Sequence, residues 1–540
     1  MVFFPPSWVP QLPAIPDSIT LEQFMSDERY GRKPLNASVN PYTCGLTGKT
    51  YTAQEAKQRT TFLSRAIAKH LGISPNEDTP WDKVVAVYAV NTIDYVPVSH
   101  AVHRLSGIVT PASAAYSAAE LEHQLKSSGA RALFTCAPLL ENALKAADAA
   151  GLARDKIFIL EVAGAKVDGF VTADDLVREG QKLPELEPLK WNKGQGARQP
   201  AYLCYSSGTS GLPKAVMISH VNVIANVLQV STYESVARKK SKVDTQVTLG
   251  LLPFSHIYAL VVVCHVGTYR EMALSFSQTN VHCAPIIIAL LRNQALISKY
   301  DVSSLRVLYS GAAPLGSETI DEVLKIWPHW RICQGYAGTS GSLVPGAAAK
   351  LIDFEGNEVT KYDTPGELYI QSPSVVLGYL NNEKANSETF VHHEDGRWIR
   401  TGDEVVMRLA PSGNEHLVIV DRIKELIKVK GHQVAPAELE AHLLTSPLVS
   451  DCAVIQVPDE RAGEVPKAFV VKGSGAQGQS DEELAKNIAK YVEEHKARHK
   501  WLKGGVEFID VIPKSPSGKI LRRMLRDKEK EARRAQGAKL

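Results

Sequence analysis

The stretch Tyr205–His220, YSSGTSGLPKAVMISH, follows the short apolar run AYLCY (Ala201–Tyr205) and runs into the helix-like text HVNVIANVLQ (His220–Gln229). It gathers small and hydroxyl residues in one place: Ser206, Ser207, Gly208, Thr209, Ser210 and Gly211, with Lys214 close behind. Such a run turns backbone N–H groups toward phosphate oxygens, its hydroxyls add donors, and the lysine adds a point charge. It is not a Walker A loop, because the G-x-x-x-x-G-K-[ST] spacing is absent. The plainer reading of a Gly/Ser-rich passage is a flexible strand-to-helix turn. Sixteen residues in this order point beyond that, to a loop that binds an anion.

The text on either side sets the fold class. TAQEAKQRTTFLSRAIAKH (Thr52–His70) carries apolar residues at helical spacing, and KVVAVYAV (Lys83–Val90) is a β-branched run of the buried-strand kind. GIVTPASAAYSAAELEHQLKSSGARALFTCAP then reads strand, turn, helix, strand, and the alternation continues through KIFILEV to AYLCY. After Asp301 it resumes with SLRVLYSGAAPLG, a helix, and WRICQGY. Strands that alternate with helices predict a largely parallel α/β sheet. From about Lys350 the texture changes to short strands with turn signals, a β-rich subdomain. Beyond Asp421–Lys424 lies a compact α+β unit: helix, two strands, helix, strand, then a basic tail. The expected division is therefore an N-terminal domain of residues 1–421 and a C-terminal domain of residues 422–540, with a hinge at 421–424.

Bulk properties exclude several classes. A chain of 540 residues with 44% hydrophobic and 22% charged residues can bury a large core. Basic and acidic residues number 61 and 58, so no concentrated positive charge marks a nucleic-acid binder. Seven cysteines make no disulfide framework. Cys264-His265 and His282-Cys283 sit in apolar text and read as core rather than as zinc ligands. The opening MVFFPPSWVPQLPAIPDS is proline-broken and lacks a basic leader, and the longest apolar run, IYALVVVCHV, is about half a membrane span. No transmembrane span is expected. The last residues, Ala538-Lys539-Leu540, are similar to the S-K-L address read by the peroxisomal import receptor, and RDKEKEARRAQG before them reads as a solvated, mobile helix end. The expected location is the peroxisome, with the cytoplasm as the alternative.

The phosphate-loop string resembles the signature of the adenylate-forming superfamily of acyl-CoA synthetases, aryl-CoA ligases, luciferases and adenylation domains. Other stretches match in order: LLPFSHIYAL (Leu251–Leu260), LYSGAAPLG (Leu308–Gly316), GELYIQSPSVVLGYL, WIRTGDE (Trp398–Glu404), VDRIKELIKVKGHQVAPAELE and PKSPSGKILRR (Pro513–Arg523). The wording is most similar to the 4-coumarate–CoA ligase and luciferase branch, in fungal-type acyl-CoA ligases. The resemblance implies an α/β fold: a large N-terminal domain of stacked mixed and parallel sheets with a β-rich subdomain, and a small mobile α+β C-terminal domain. It implies an ATP-dependent ligase that joins a carboxylic acid to CoA through an acyl-adenylate, using ATP, CoA and Mg²⁺. By motif position, Lys519 would touch the acyl carboxylate and the α-phosphate, and His256 would gate or position the acyl group. Tyr258 and Gly311 would line the acyl pocket, with Ala312 and Ala313 along the adenine side. Gln334, Gly335 and Tyr336 form the turn near adenine. Asp403 would bind the ribose hydroxyls, Arg422 the ribose and phosphate, and Lys424 marks the hinge. The loop holding Lys428, Lys430 and Gly431 would reach the thioester-forming face after the C-terminal domain rotates.

One family feature is missing. After the QGY turn the family has a threonine and a glutamate that binds Mg²⁺, whereas this chain reads Tyr336-Ala337-Gly338-Thr339-Ser340. A neutral hydroxyl is a poor substitute for a carboxylate at a hard dication. GTSGSLVPGAAAKLIDFEG resembles a family segment well downstream, so about twenty residues are missing after Tyr336 by comparison with the family. A similar shortening falls within Tyr269–Leu291. Two readings follow: an active ligase whose text has lost segments, or a degenerate, non-catalytic relative that binds nucleotide or acyl groups.

Overall fold

The computed structural model describes residues 1–540 except 164, 166, 207–212, 242–245, 271, 275–279, 284–296, 298–300, 304, 312–314, 316, 336–342, 431, 515–518 and 538–540. The apolar, β-branched runs become the centre of an eight-stranded sheet. Val84–Tyr88, Ile108–Ala112, Ala132–Thr135 and Ile157–Ile159 lie parallel, and each is buried at every position. Helices on both faces explain why these strands do not alternate polar with apolar. The helices are bounded as their sequence directs. Thr52 and Glu55 form a capping box at the start of Ala53–Leu71, Ser117 and Glu120 do so for Ala118–Ser128, and both helices stop at a left-handed glycine. Pro200–Ser206 joins this sheet parallel to Ile108–Ala112 and turns back antiparallel into Lys214–Ser219.

A second sheet runs in the order Arg331–Gln334, Val307–Ser310, Asn280–Cys283, Gln246–Leu249, Met272–Leu274, Tyr42–Thr43, Thr50–Tyr51. Its first five strands are parallel. Met272–Leu274 and Asn280–Cys283 flank Gln246–Leu249, and Leu274 and Asn280 both stand level with Thr248. Only residues 275–279 separate them in sequence. A crossover between parallel strands normally takes a dozen residues or more.

The β-rich subdomain is a six-stranded sheet of Ala348–Ile352, Pro365–Gln371, Phe390–His393, Gly396–Leu409 and Glu415–Arg422, with Val2–Phe3 added at its edge. That last pairing is unannounced by the proline-broken N-terminus, and Phe3 is buried against Leu351 and Leu368. The next strand, Ile427–Val429, belongs to a separate five-stranded sheet whose core includes Leu439, Val454, Phe469 and Ile488. The tail departs from expectation. Arg522–Gly537 is one helix, and it docks on this small domain through buried Leu525 and Glu529 rather than standing free in solvent. Lys467 pairs with Glu529 at 2.5 Å, and Arg533 donates to the Pro458 carbonyl.

The apolar run after His256 adopts a π-helix, Tyr258–Val266, deep in the large core. It spans no membrane, and no helix among the described residues is long and apolar enough to do so. Cys264 is buried there, and His265 bonds to the Tyr202 hydroxyl at 2.9 Å. Among the described residues no group of three or more His, Cys, Asp and Glu could hold a metal ion.

Candidate active site

The candidate residues gather at the carboxyl ends of the parallel strands, where open α/β sheets bind ligands. Strand Pro200–Ser206 ends at the start of the expected anion-binding segment, and Ser206 stands opposite Lys214 across the paired strands. Helix Ala118–Ser128 braces both ends. The Tyr205 hydroxyl meets Ser127 Oγ at 2.6 Å, and His123 Nε2 lies 3.2 Å from the Pro213 carbonyl. The Lys214 ammonium stands 5.7 Å from the Tyr379 ring. Ser207, Gly208, Thr209, Ser210 and Gly211 lie outside the described residues, as do Ala312, Ala313, Tyr336, Gly431 and the terminal Ala538-Lys539-Leu540.

The acyl side is built on Asn91, just past the end of buried strand Val84–Tyr88. Its side-chain amide donates to the carbonyls of Gly250 (2.9 Å) and Leu252 (2.8 Å) and accepts from the Phe254 N–H at 2.8 Å. These three bonds fix the segment that carries His256. Nδ1 of His256 accepts from the Tyr258 N–H at 3.3 Å, so the neutral ring carries its proton on Nε2. The Tyr258 ring turns toward Gly311. A Cβ at Gly311 would meet the Gly335 carbonyl at 3.4 Å and Tyr258 Cζ at 3.6 Å. Gly335 in turn donates its N–H to the Ser310 carbonyl at 2.8 Å. Tyr258, Gly311 and Gly335 therefore converge at the ends of two neighbouring parallel strands, while the Gln334 side chain is exposed.

The opposite wall comes from the β-rich subdomain. Asp403 and Arg422 are cross-strand partners, and the Arg422 Nε lies 3.3 Å from an oxygen of the buried Asp403 carboxylate. Gly402, at φ +71°, sits at a register irregularity within strand Gly396–Leu409 just before Asp403, and the Asp403 N–H donates to Thr401 Oγ at 3.1 Å. Into this wall comes Lys519, from the far end of the chain. Burial lowers the affinity of Lys519 for its proton, the charges of Arg422 and Arg522 lower it further, and Glu425 and Asp403 pull the other way. Burial and the Lys519 ammonium together hold His256 below the usual histidine value. Lys519 thus lies within electrostatic reach of Asp403 and His256 in the large domain and of Arg422, the last residue of strand Glu415–Arg422 at the expected domain boundary.

Lys424, Lys428 and Lys430 are exposed. Lys428 and Lys430 sit on the hairpin of Ile427–Val429 and His432–Val434, and their N–H groups donate to Glu464 and to the Ala462 carbonyl within the small domain. Lys430 takes φ +48°, uncommon for a residue with a Cβ.

This site and fold define an adenylate-forming architecture, and the comparisons agree. Residues 28–340 match the family model of the AMP-binding enzyme, and residues 438–519 match the AMP-binding enzyme C-terminal domain. The chain belongs to the AMP-binding enzyme family. It is 39% identical to the acyl-CoA ligase AFT1-1 of Alternaria alternata, over 98% of this chain and 97% of that protein. It is 36% identical to the acyl-CoA ligase easD of Emericella nidulans, over 97% of this chain and all of that one. The fold is shared with the anthranilate CoA ligase AuaEII in complex with anthranoyl-AMP, at a TM-score of 0.77 and 21% identity, over 96% of this chain and 98% of that one. It is shared likewise with ATP-bound MatB from Rhodopseudomonas palustris, at 0.76 and 21%, over 95% and 99%. The alignment to AFT1-1 runs over 573 positions and that to easD over 568, more than the 540 residues here, so both relatives carry segments that this chain lacks.

Sequence reasoning did not single out Asn91, Glu425, Glu440 or Arg522. Asn91 had a usable signal, a polar residue just past a buried parallel strand. The other three are meaningful only through contacts made on folding.

Proposed function

We propose that this chain is an ATP-dependent acid–CoA ligase that forms an acyl-adenylate and then a CoA thioester. The observation that carries this reading is that Lys519, from the C-terminal domain, lies close enough to Asp403 and His256 of the N-terminal domain, and to Arg422 at the domain boundary, for their charges to act on one another. In the first half-reaction an oxygen of the acid's carboxylate attacks the α-phosphorus of ATP, the α–β bridging bond breaks, and pyrophosphate leaves. Two anions must approach, so catalysis rests on positive charge and oriented donors. Lys519 neutralises the acyl carboxylate and the α-phosphate. Asp403 accepts the ribose hydroxyls with Arg422 beside it. The loop after Ser206, with Lys214, holds the outer phosphates. His256, Tyr258 and Gly311 bound an acyl pocket suited to an aromatic or medium-length acid, and the adenine lies by Gly335. In the second half-reaction the CoA thiolate attacks the acyl carbon and AMP leaves. Rotation about residues 421–424 withdraws Lys519 and brings Lys428 and Lys430 to the site.

Mg²⁺ is the remaining cofactor of such a reaction. The described donors do not fit it: Asp403 is tied to Arg422, and no carboxylate follows Tyr336 in the position the family uses. No step here runs through the metal. The length of the relatives' alignments favours lost segments over a degenerate binder, and the curated relatives are acyl-CoA ligases. The testing experiment is pyrophosphate exchange into ATP with a panel of aromatic and medium-chain acids. Acid-dependent exchange is expected, and nucleotide binding without exchange would overturn the ligase reading. Lys519→Ala should abolish exchange yet leave thioester formation from supplied acyl-AMP largely intact, and equal loss of both would sink the division of labour. The terminal Ala538-Lys539-Leu540 supports import into the peroxisome. Deleting Leu540 should leave a fluorescent fusion in the cytosol, and unchanged import would refute the assignment.

A further inference from the structure

The loop that carries Lys519 is fastened on both flanks. Lys514 and Ile520 form an antiparallel bridge at its base, and the Leu521 N–H donates to the Pro513 carbonyl at 2.8 Å. Lys514 Nζ pairs with Asp451 at 2.6 Å. Three residues after Lys519, Arg522 Nη2 lies 2.8 and 2.7 Å from the two oxygens of Glu440. Its Nε donates to the Val454 carbonyl at 3.2 Å and stands 3.8 Å from Glu425. The two side chains of the Arg522–Glu440 pair are 11% and 10% exposed, so the guanidinium does not reach solvent freely. Glu440 also accepts the Val454 N–H at 2.8 Å, and Glu425, beside the expected hinge, is shared with Arg526 at 3.2 Å.

A buried arginine held by two carboxylates is costly to assemble, and burial opposes its charge more than any other single influence, although Glu440, Asp421 and Glu425 offset it. Its helix, Arg522–Gly537, is already seated through Leu525, Lys467–Glu529 and Arg533. Arg522 is therefore placed to do something besides docking the helix. It fixes the chain at the point where the helix gives way to the Lys519 loop.

We infer that Arg522 is the positioning residue for Lys519: its Nη2 on Glu440 and its Nε on the Val454 carbonyl together set where the Lys519 ammonium stands in the adenylation half-reaction. This rests on the ligase reading above. Arg522 touches no substrate and acts only through the loop, with the Lys514–Asp451 pair as the second fastening. A lysine at position 522 keeps the charge but, with one nitrogen, cannot hold Glu440 and the Val454 carbonyl from two separate donors as the guanidinium does.

The test measures the two half-reactions separately on full-length Arg522→Lys and Lys514→Met, beside wild type and Lys519→Ala. Arg522→Lys should lower acid-dependent pyrophosphate exchange by about 100-fold, the loss typical of a 1 Å misplacement. Thioester formation from supplied acyl-AMP should stay within about twofold, a split that a merely structural role would not give. Lys514→Met should lower exchange about tenfold, with the same split. A parallel fall in both half-reactions, or exchange unchanged in both variants, overturns the inference. Should Arg522→Lys not fold, shown by a lost thermal transition, Lys514→Met carries the test alone, because its pair is partly exposed. Absent exchange in the wild type would instead overturn the ligase reading, and this inference with it. Exchange lost in Lys519→Ala but kept in both clamp variants defeats the clamp alone.

Discussion

Four histidines are packed together in the core of the large domain. His100 stacks on His265 at 5.5 Å between ring centroids, and His103 meets His220 edge-on at 4.9 Å. Burial, the largest cause, pushes His103 down to about 4 and His265 down to about 3, and holds His100 and His220 well below the usual histidine value. In the unfolded chain a histidine takes up its proton near 6.5, so the unfolded state binds more protons as the pH falls through that value. The stability contributed by neutral burial is present above pH 6.5 and is lost below it, down to the folded values. Between pH 7.5 and 5 the loss is about 2 kcal/mol for each of His103 and His265. Together they remove about 4 kcal/mol, a large share of a typical domain's stability of roughly 5–15 kcal/mol. Replacing His265 by glutamine, which still offers the Tyr202 hydroxyl a partner, removes one titrating group from the cluster. His265→Gln should therefore lose about 2 kcal/mol less than wild type between pH 7.5 and 5, which flattens the mean slope over that range by about 0.8 kcal/mol per pH unit. Glu161, whose carboxyl is raised to about 7, works in the opposite direction, but it is common to both proteins and cancels in the difference. Urea unfolding at pH 7.5, 6 and 5, following the transition of the large domain, measures both slopes. Identical slopes for the two proteins would refute the reasoning.

Two further perturbations probe the site's walls. Asp403→Ala removes a buried carboxylate and should raise the KM for ATP about 10- to 100-fold with little change in the KM for the acid, the scale of a charged hydrogen bond; an unchanged KM for ATP in steady-state kinetics would remove Asp403 from the ribose. Asn91→Ala deletes the three bonds that hold residues 250–254 and should cost about 1–3 kcal/mol in thermal unfolding while lowering kcat/KM for the acid. A stable variant with full activity would show that the His256 segment is held by packing alone.

Much of the scaffold was legible because its signals are local. The run Val84–Tyr88 is β-branched and becomes a fully buried strand, and the helices expected in Thr52–His70 and after the turn beyond Ile108 form as Ala53–Leu71 and Ala118–Ser128, each started by a capping box. The helix after Pro436, the long strands Val449–Asp459 and Gly463–Lys472, and the helix from Asp481 also fall where their periodicity places them. What local signals do not encode is pairing at a distance. Val2–Phe3 has no strand pattern of its own and is a strand only because Ala349 and Lys350 offer an edge. The tail Arg526–Gly537 is so rich in charge that it reads as solvated, yet Glu529 within it and Leu525 just before it are buried against the small domain. The clamp of Arg522 on Glu440 joins residues 82 apart, and no spacing rule reaches that far.

The acid missing after Tyr336 bears on the fold as well as on the chemistry. Leu274 and Asn280 stand level with one another on strands that run in the same direction on either side of Gln246–Leu249. Leu274 ends its strand at the level where Asn280 begins the next, so the two strands are offset along the sheet. The five residues between them in sequence span at most about 17 Å when extended, too short for the helix that normally covers a parallel crossover. The second shortening falls next to Arg331–Gln334, which is the edge strand of the same sheet among the described residues. Both shortenings therefore fall in one sheet, and that sheet supplies Gly311 and Gly335 to the site.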